Sequence, residues 1–468
     1  MSAFEIPLLR DVKYGHSVDD FSVENFLATP EGLRLRPALS PLFDIPFANS
    51  DVVIGFYLGN NDTIYLAKVS AVFLLTVFQI DVVEKTYKEI FSMRNVSRED
   101  PLSMCNCNDY EFWLISGKLY RLESETFTEI DFNKGDIKPK NIVDFAVMNS
   151  TMYLLSKEKG EVFYTSDFAE FKKWEAFTII SYSGKGVGLG VIKNNLCIFT
   201  ENGMEVWYGQ PSSDGLFPLT KRRELSLPFK LISKRTLEND GTNLLGAFHS
   251  FDGKFVIVSF DGQEMKVLDN SPLCKDRSII KYMVSSMFNY NNNTYYILFF
   301  NLPKEEFKKT NISYCLHLKS GIWTLLKEQN ANYHINIKSR VYCFFLGKKI
   351  QVCKTSRKGE ITFTGAITTD YFPPYKPYVT EQLTFSYFYE GTSEMFVDMF
   401  VSYKRDFALE PDYRVTIFAD EFEESREKII KLNHNLFGVN SGLVHFKFEF
   451  KQCKSSFLLK RIYGKERV

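Results

Sequence analysis

Between residues 184 and 190 every second position is glycine (Gly184, Gly186, Gly188 and Gly190), and no other feature of the chain restricts its fold as strongly. In an extended strand alternate side chains share a face, so these glycines present one face of bare backbone. Such a face belongs where another backbone or a crowded axis comes close. The stretch continues through a turn at Asn194-Asn195, the apolar run Leu196 to Phe199, a second turn at Glu201-Asn202-Gly203 and the extended run Met204 to Tyr208. This is an antiparallel meander, and the innermost strand of a propeller blade meets the description. A phosphate-cradling loop would need G-x-G-x-x-G between a strand and a helix, so that amide groups and a helix N-terminus face the anion. Here the spacing differs and strands follow.

Similar strand–turn–strand units recur at Phe112 to Tyr120, Met152 to Tyr164, Phe251 to Leu268 and Val341 to Val352, with another between Tyr295 and Leu326. The first centres lie roughly 40 to 45 residues apart and the later ones more widely, and a period near forty marks four-stranded propeller blades. The 44 Phe and 25 Tyr agree with this, because large flat side chains pair across the pleat of a sheet. The expected class is all-β, with a β-propeller-like body over residues 51–370. A β-sandwich with long insertions is the competing architecture. Residues 1–50, with Pro7, Pro30, Pro37, Pro41 and Pro46 and no sustained period, read as an ordered N-terminal arm. The proline-rich Tyr371 to Tyr378 marks a second boundary. Beyond it Leu383 to Tyr389, Met395 to Tyr403, Tyr413 to Ala419, Leu443 to Lys451 and Phe457 to Tyr463 make a C-terminal β-sandwich domain over 371–468. The charged piece Asp420 to Lys431 between them reads as a loop.

The 57 basic and 57 acidic residues balance, so contact with nucleic acid or anionic lipid must be local. Met1 to Leu9 contains Glu5 and Pro7 and does not read as a secretory signal, so the eight scattered cysteines are expected as thiols. The most apolar run, Val69 to Ile80, is too short to span a membrane as a helix, which takes about 20 residues. Cys105-Asn-Cys107 holds its thiolates poorly for a zinc tetrahedron and lacks a partner pair, and the six histidines are isolated. No metal, cofactor or catalytic residue is expected. Thr165-Ser166-Asp167-Phe168 followed by Trp174 resembles the Asp-box hairpin of sialidase-like propellers, a folding device in which an Asp caps a turn beneath a Trp. The box's glycine is absent, and no arginine triad or spaced carboxylate pair accompanies it.

Two basic clusters remain. Lys221, Arg222 and Arg223 read as a loop after Pro218, and the tail carries Lys447, Lys451, Lys454, Lys460, Arg461, Lys465 and Arg467 against Glu449 and Glu466. Each is either a solvated face or, in a ring of subunits, a set of charges that add around a channel and contact phosphates without reading sequence. Lys221, Arg222, Arg223, Lys454, Lys460, Arg461, Lys465 and Arg467 are the candidate contacts to DNA or a partner.

Asp20-Phe-Ser-Val-Glu-Asn-Phe-Leu-Ala-Thr-Pro30, followed by Gly32-Leu-Arg-Leu-Arg-Pro37, resembles the opening of the packaged-DNA stabilisation proteins of short-tailed phages, a "V-N-x-L-A-T-P" segment and then "G-x-L-R-x-x-P-G". Val23, Asn25, Leu27, Ala28, Thr29 and Pro30 match. Glu24 separates Val23 from Asn25, and Ala38 stands where the family has its second glycine. The run from Gly188-Leu-Gly190 through Phe199 to Glu205-Val-Trp-Tyr208 is similar to the family's central meander. The resemblance implies a tail hub or nozzle protein without catalytic residues, assembled as a homo-oligomeric, hexameric ring. Its implied partners are portal or head-to-tail adaptor proteins, a tail needle or plug, tailspike or fibre proteins, and packaged double-stranded DNA held without sequence preference. Its implied place is the virion tail, after assembly in the host cytoplasm. The alternative reading is a carbohydrate-binding or glycoside-cleaving propeller acting at a host surface.

Overall fold

The computed structural model describes residues 3–6, 23–48, 50–107, 110–134, 136–209, 219–269, 282–300, 313–326, 331–338, 340–345, 349–354, 365–371, 379–390, 396–403, 413–417, 427–431, 444–451 and 456–467. Their regular structure is almost entirely strand. Seven sheets follow one another along the chain. Blade 1 holds Val52–Leu58, Ile64–Val69, Leu75–Asp81 and Thr86–Met93; blade 2 holds Leu102–Cys107, Tyr110–Ile115, Lys118–Glu123 and Thr126–Glu129. Blade 3 holds Ile142–Met148, Thr151–Ser156, Glu161–Thr165 and Glu175–Thr178; blade 4 holds Gly186–Ile192, Asn195–Thr200, Gly203–Gly209 and Leu219–Leu227. Blade 5 is built on Leu244–His249, Phe255–Phe260 and Met265–Asp269, with Lys230–Leu231 and Glu238–Asn239 sharing its inner edge. Blade 6 holds Met283–Tyr290, Asn293–Phe300, Ser313–His317 and Ile322–Leu326, and blade 7 holds Ala331–Ile337, Arg340–Phe345 and Lys349–Lys354. The inner strand of each blade touches that of the next, and blade 7 touches blade 1. The ring is closed, as a propeller must be to hide its edges.

Closure depends on a strand from far away in sequence. Ala38–Asp44 pairs with Lys349–Lys354 and forms the outer strand of blade 7. Leu39 is fully buried in the cluster that joins blades 6, 7 and 1. Comparable apolar clusters fill the other gaps, such as Trp113 with Tyr65 between blades 1 and 2, and Leu154 with Phe112 between blades 2 and 3. Each blade is therefore a sandwich layer, apolar on both faces.

The alternating glycines do form an inner strand, in blade 4, but they do not share one face. A bulge between Gly186 and Gly188 inverts the pattern. A Cβ at Gly186 would lie 2.3 Å from the Ser156 carbonyl of blade 3, whereas one at Gly190 would lie 2.6 Å from Leu244 of blade 5. The bare backbone thus admits a neighbour on each side.

The rest of the chain makes a β-sandwich that grows out of blade 6. Val23–Glu24 pairs in parallel with Ile322–Leu326 and antiparallel with Gly365–Tyr371, and the sheet continues through Val444–Lys451, Phe396–Tyr403 and Tyr413–Ile417. Blade and sandwich share one hydrogen-bonded ladder. The facing sheet runs Phe26–Thr29, Gly32–Leu35, Ser456–Arg467, Val379–Glu390 and Glu427–Lys431, with Ala3–Ile6 also paired to Ser456–Arg467. Phe450 meets Phe26 edge-on at 5.3 Å and Phe448 meets Phe385 at 5.4 Å, closing the two sheets on each other.

The segment expected as an arm at 1–50 is thus divided between the two bodies, and Glu427–Lys431 is a strand rather than part of a loop, because it pairs with Val379–Glu390. Residues 372–378 of the expected boundary and 420–426 of the expected loop lie outside the described residues. Truncating Leu39 to alanine leaves a cavity at the closure point and is expected to cost about 2 to 4 kcal/mol. The 81% exposed Val83 serves as control, with Val83→Ala within about 0.5 kcal/mol of the parent. Denaturant unfolding of the three proteins measures both values.

Candidate functional site

The inner strand of blade 5 is interrupted. Lys230–Leu231 pairs with Phe248 and His249, Glu238–Asn239 pairs with Leu244 and Leu245, and between them Lys234–Thr236 forms one turn of 3-10 helix. Ser233 caps this turn, its hydroxyl accepting from the Arg235 amide at 3.2 Å. Thr236 anchors it by donating to the Ser233 carbonyl at 2.7 Å and accepting the Tyr296 hydroxyl on its own carbonyl at 2.6 Å. The turn aims two cations across the ring.

Lys234 Nζ lies 2.6 Å from Oδ2 of Asp144, a fully buried residue of blade 3's inner strand. Asp144 also accepts from Ser103 Oγ of blade 2 at 2.7 Å and from the Leu189 amide of blade 4 at 2.6 Å. The same lysine donates to the Leu189 carbonyl. Arg235 donates to the Arg98 carbonyl between blades 1 and 2 at 2.6 Å, and its own carbonyl accepts from Ser285 of blade 6 at 3.2 Å. The Arg98 guanidinium sits 5.4 Å above the Tyr282 ring. This network ties blades 2 to 6 together.

One member of it titrates near neutrality. Glu238 accepts from Ser285 Oγ at 3.0 Å, and burial pushes its carboxyl up to about 7 against the opposing effects of that hydroxyl and of the Lys234 charge. Two phenols nearby, Tyr57 and Tyr333, are pushed above the usual tyrosine range by burial. Their hydroxyls donate to the Leu102 and Val53 carbonyls, each at 3.2 Å. Asp144 is taken up by three donors. The cluster holds the blades together and carries one carboxyl, that of Glu238, which burial pushes up.

The residues singled out from sequence fall in two places. Lys221, Arg222 and Arg223 lie on the outer strand of blade 4, Leu219–Leu227, not in a loop, because that strand pairs with Gly203–Gly209. Lys221 Nζ lies 2.7 Å from fully buried Glu205 and donates to Ser181 Oγ at 2.6 Å. The Ser181 amide and Trp207 Nε1 occupy the same carboxylate. Arg222 is shared between Glu224 and the Gly262 carbonyl, both at 2.9 Å. Arg223 is exposed. Lys460 and Arg461 are exposed on the sandwich strand Ser456–Arg467, Lys460 at a bulge opposite Ser386 and Tyr387. Lys465 and Arg467 follow on that strand, whereas Lys454 lies outside the described residues. The two basic groups occupy separate sheets.

Burial pushes the Cys105 thiol up to about 11, helped by neighbouring Cys107, which makes it a poor nucleophile. Asp167 caps its turn by accepting from the Glu170 and Lys172 amides, each at 3.1 Å, and Trp174 Nε1 donates to the Phe171 carbonyl at 2.8 Å. This turn is a folding device. Sequence reasoning missed Asp144, Lys234 and Glu238. The available signal was a lone acid between Val143 and Phe145 in a run otherwise fit for burial.

No family model and no curated protein matches the chain. Among solved structures, it is similar to the extracellular domain of BT4673 from B. thetaiotaomicron (TM-score 0.44, 9% identity, 68% of this chain and 40% of that one). It is also similar to Saccharomyces cerevisiae Sqt1 (TM-score 0.39, 9% identity, 64% and 83%) and to the C-terminal WD40 domain of Sif2 (TM-score 0.38, 12% identity, 68% and 84%). The chain spans less than half the length of BT4673's domain. Likenesses this distant assign no function.

Two outcomes are expected. Because the Glu238 carboxyl titrates higher in the folded chain than its ordinary 4.5, its contribution is fully present below pH 4.5 and is lost as pH rises through about 7. Glu238→Gln should therefore raise stability at pH 8 by up to about 3 kcal/mol and flatten the stability profile between about pH 4.5 and 7. Thermal unfolding across that range measures it. Lys221→Ala strands the Glu205 charge and should cost about 3 kcal/mol, whereas Arg223→Ala should stay within about 0.5 kcal/mol. Equal, small effects from both would mean that Lys221 is a free surface cation.

Proposed function

We propose that the chain is a structural subunit of a phage tail hub or nozzle, assembled as a ring that extends the portal channel, helps retain packaged DNA and allows its ejection. One observation carries this reading. The described residues of the opening segment that resembles the packaged-DNA stabilisation proteins form the joint between propeller and sandwich. Val23–Glu24 bridges blade 6 to the sandwich, and Asn25 turns the chain with φ 56°, a left-handed conformation that asparagine tolerates well. Its amide donates to the Leu325 carbonyl at 2.6 Å, and the chain then crosses to the facing sheet. Thr29 closes the next turn by donating to the Gly32 carbonyl at 3.0 Å. Gly32 has φ 145°, and a Cβ there would lie 2.3 Å from the Leu459 carbonyl. Asn25, Thr29 and Gly32, three of the shared letters, thus shape the joint.

In this reading the propeller is a building block whose blades Lys234 and Arg235 cross-link, and it is not itself the conduit. DNA passes through the channel that several copies enclose. Arg223 and Lys460 are exposed and suit sequence-independent phosphate contacts, whereas Lys221 and Arg222 are committed within the fold. The second body supplies another surface, so each copy can meet ring neighbours as well as portal, adaptor, needle or fibre proteins above and below. Retention is mechanical, and no catalytic step or cofactor is assigned. The virion tail is the proposed location.

Light scattering of the purified protein, alone and with portal and adaptor proteins, at two salt concentrations, tests the reading. A closed ring, alone or on the partner, is the expected mass. A monomer under every condition would overturn it.

A further inference from the structure

We propose that the cleft at the seam of blades 1 and 7 is a binding site for a short, neutral oligosaccharide. The cleft has a volume of about 800 Å³ and is lined by the turns at 61–63 and 81–83 and by Ile337, Lys338 and Arg340, together with residues of the flanking strands. At this size it takes a ligand of a few sugar units. It lies where the ring closes.

An aromatic platform is built into it. Tyr87 is 41% exposed, yet its ring is held parallel to Phe43, with centroids 6.3 Å apart and planes at 12°, and edge-on to Phe78 at 5.8 Å. Phe43 comes from the closing strand Ala38–Asp44, so the platform exists only in the closed ring. An exposed ring held in this way offers an apolar face at little entropic cost, which suits the C–H face of a pyranose.

The polar lining fits the rest of a sugar. Gln79 and Thr63 offer donors and acceptors to hydroxyls, which need both. At the rim Lys338 pairs with Asp62 at 3.1 Å and Lys88 pairs with Glu125, and exposed Arg340 also lines the cleft, so three cations stand against the three carboxylates Asp62, Asp81 and Glu125. Asp81 is occupied by the amides of Val83 and Glu84. Among the described residues, each carboxylate lining the cleft is engaged within the fold rather than poised as an acid–base pair across a glycosidic bond. It binds without hydrolysis. This inference stands independently of ring assembly.

The test applies the full chain to an array of neutral and acidic oligosaccharides of two to six units, then titrates the tightest neutral binder by calorimetry. Tyr87→Ala should weaken binding about tenfold or more and Tyr87→Phe no more than about threefold, because the ring face is kept. Gln79→Ala, which leaves the ring stack intact, should weaken it about fivefold and decides the matter if Tyr87→Ala fails to fold. The proposal is overturned if no array member binds, if binding is confined to acidic sugars and vanishes with salt, or if the folded variants bind as tightly as the parent.

Discussion

The carboxylate of Asp144 is the interaction on which the propeller most depends. Removing a charge from water is costly, and the cost is offset only when hydrogen bonds and a counter-charge surround it. Here the compensating groups come from blades 2, 4 and 5, while the acid belongs to blade 3. The inner strands of four consecutive blades must be in register before that charge is satisfied. Apolar packing between blades tolerates sliding, but a buried carboxylate with three fixed donors does not. The broken inner strand of blade 5 serves the same demand, since its 3-10 turn carries Lys234 to Asp144.

The joint imposes a different kind of rigidity. Blade 6 and one sheet of the sandwich are a single ladder, and Tyr295 of blade 6 also donates to the Ala28 carbonyl of the facing sheet at 2.9 Å. Bodies linked by a flexible segment move independently, whereas bodies sharing a ladder move together. In the proposed hub role, this arrangement would hold neighbours on two surfaces at a fixed angle.

Much of the architecture was legible in the sequence because local rules coincide with the global fold. Leu196 to Phe199 and Met204 to Tyr208 are strands by composition and by their turns, and they are adjacent strands of one blade. What escaped was long-range pairing. Nothing in Ala38–Asp44 says that its partner lies at Lys349–Lys354, and Pro41, one of the prolines that made the segment look like an arm, is one that an edge strand accepts. The bulge after Gly186 escaped because one unpaired residue exchanges the two faces of a strand without altering its pattern of letters. The candidate cations were read by charge alone. Lys221 could not be distinguished from Arg223 until Glu205 was seen beneath it.

Ring closure by an early strand also sets a timetable for synthesis. Ala38–Asp44 leaves the ribosome long before Lys349–Lys354 exists, and at about 5 to 20 residues per second the interval is on the order of tens of seconds. Throughout it a strand carrying Leu39, Leu42 and Phe43 has no partner, while blades 1 to 6 emerge beside it with open edges. Pro41 lacks an amide hydrogen and, in the finished blade, sits where the register shifts. The same residue makes the waiting strand a poor template for premature pairing with a nascent blade or another chain. A proline that the closed propeller merely accommodates thereby protects the polypeptide while the ring is still open.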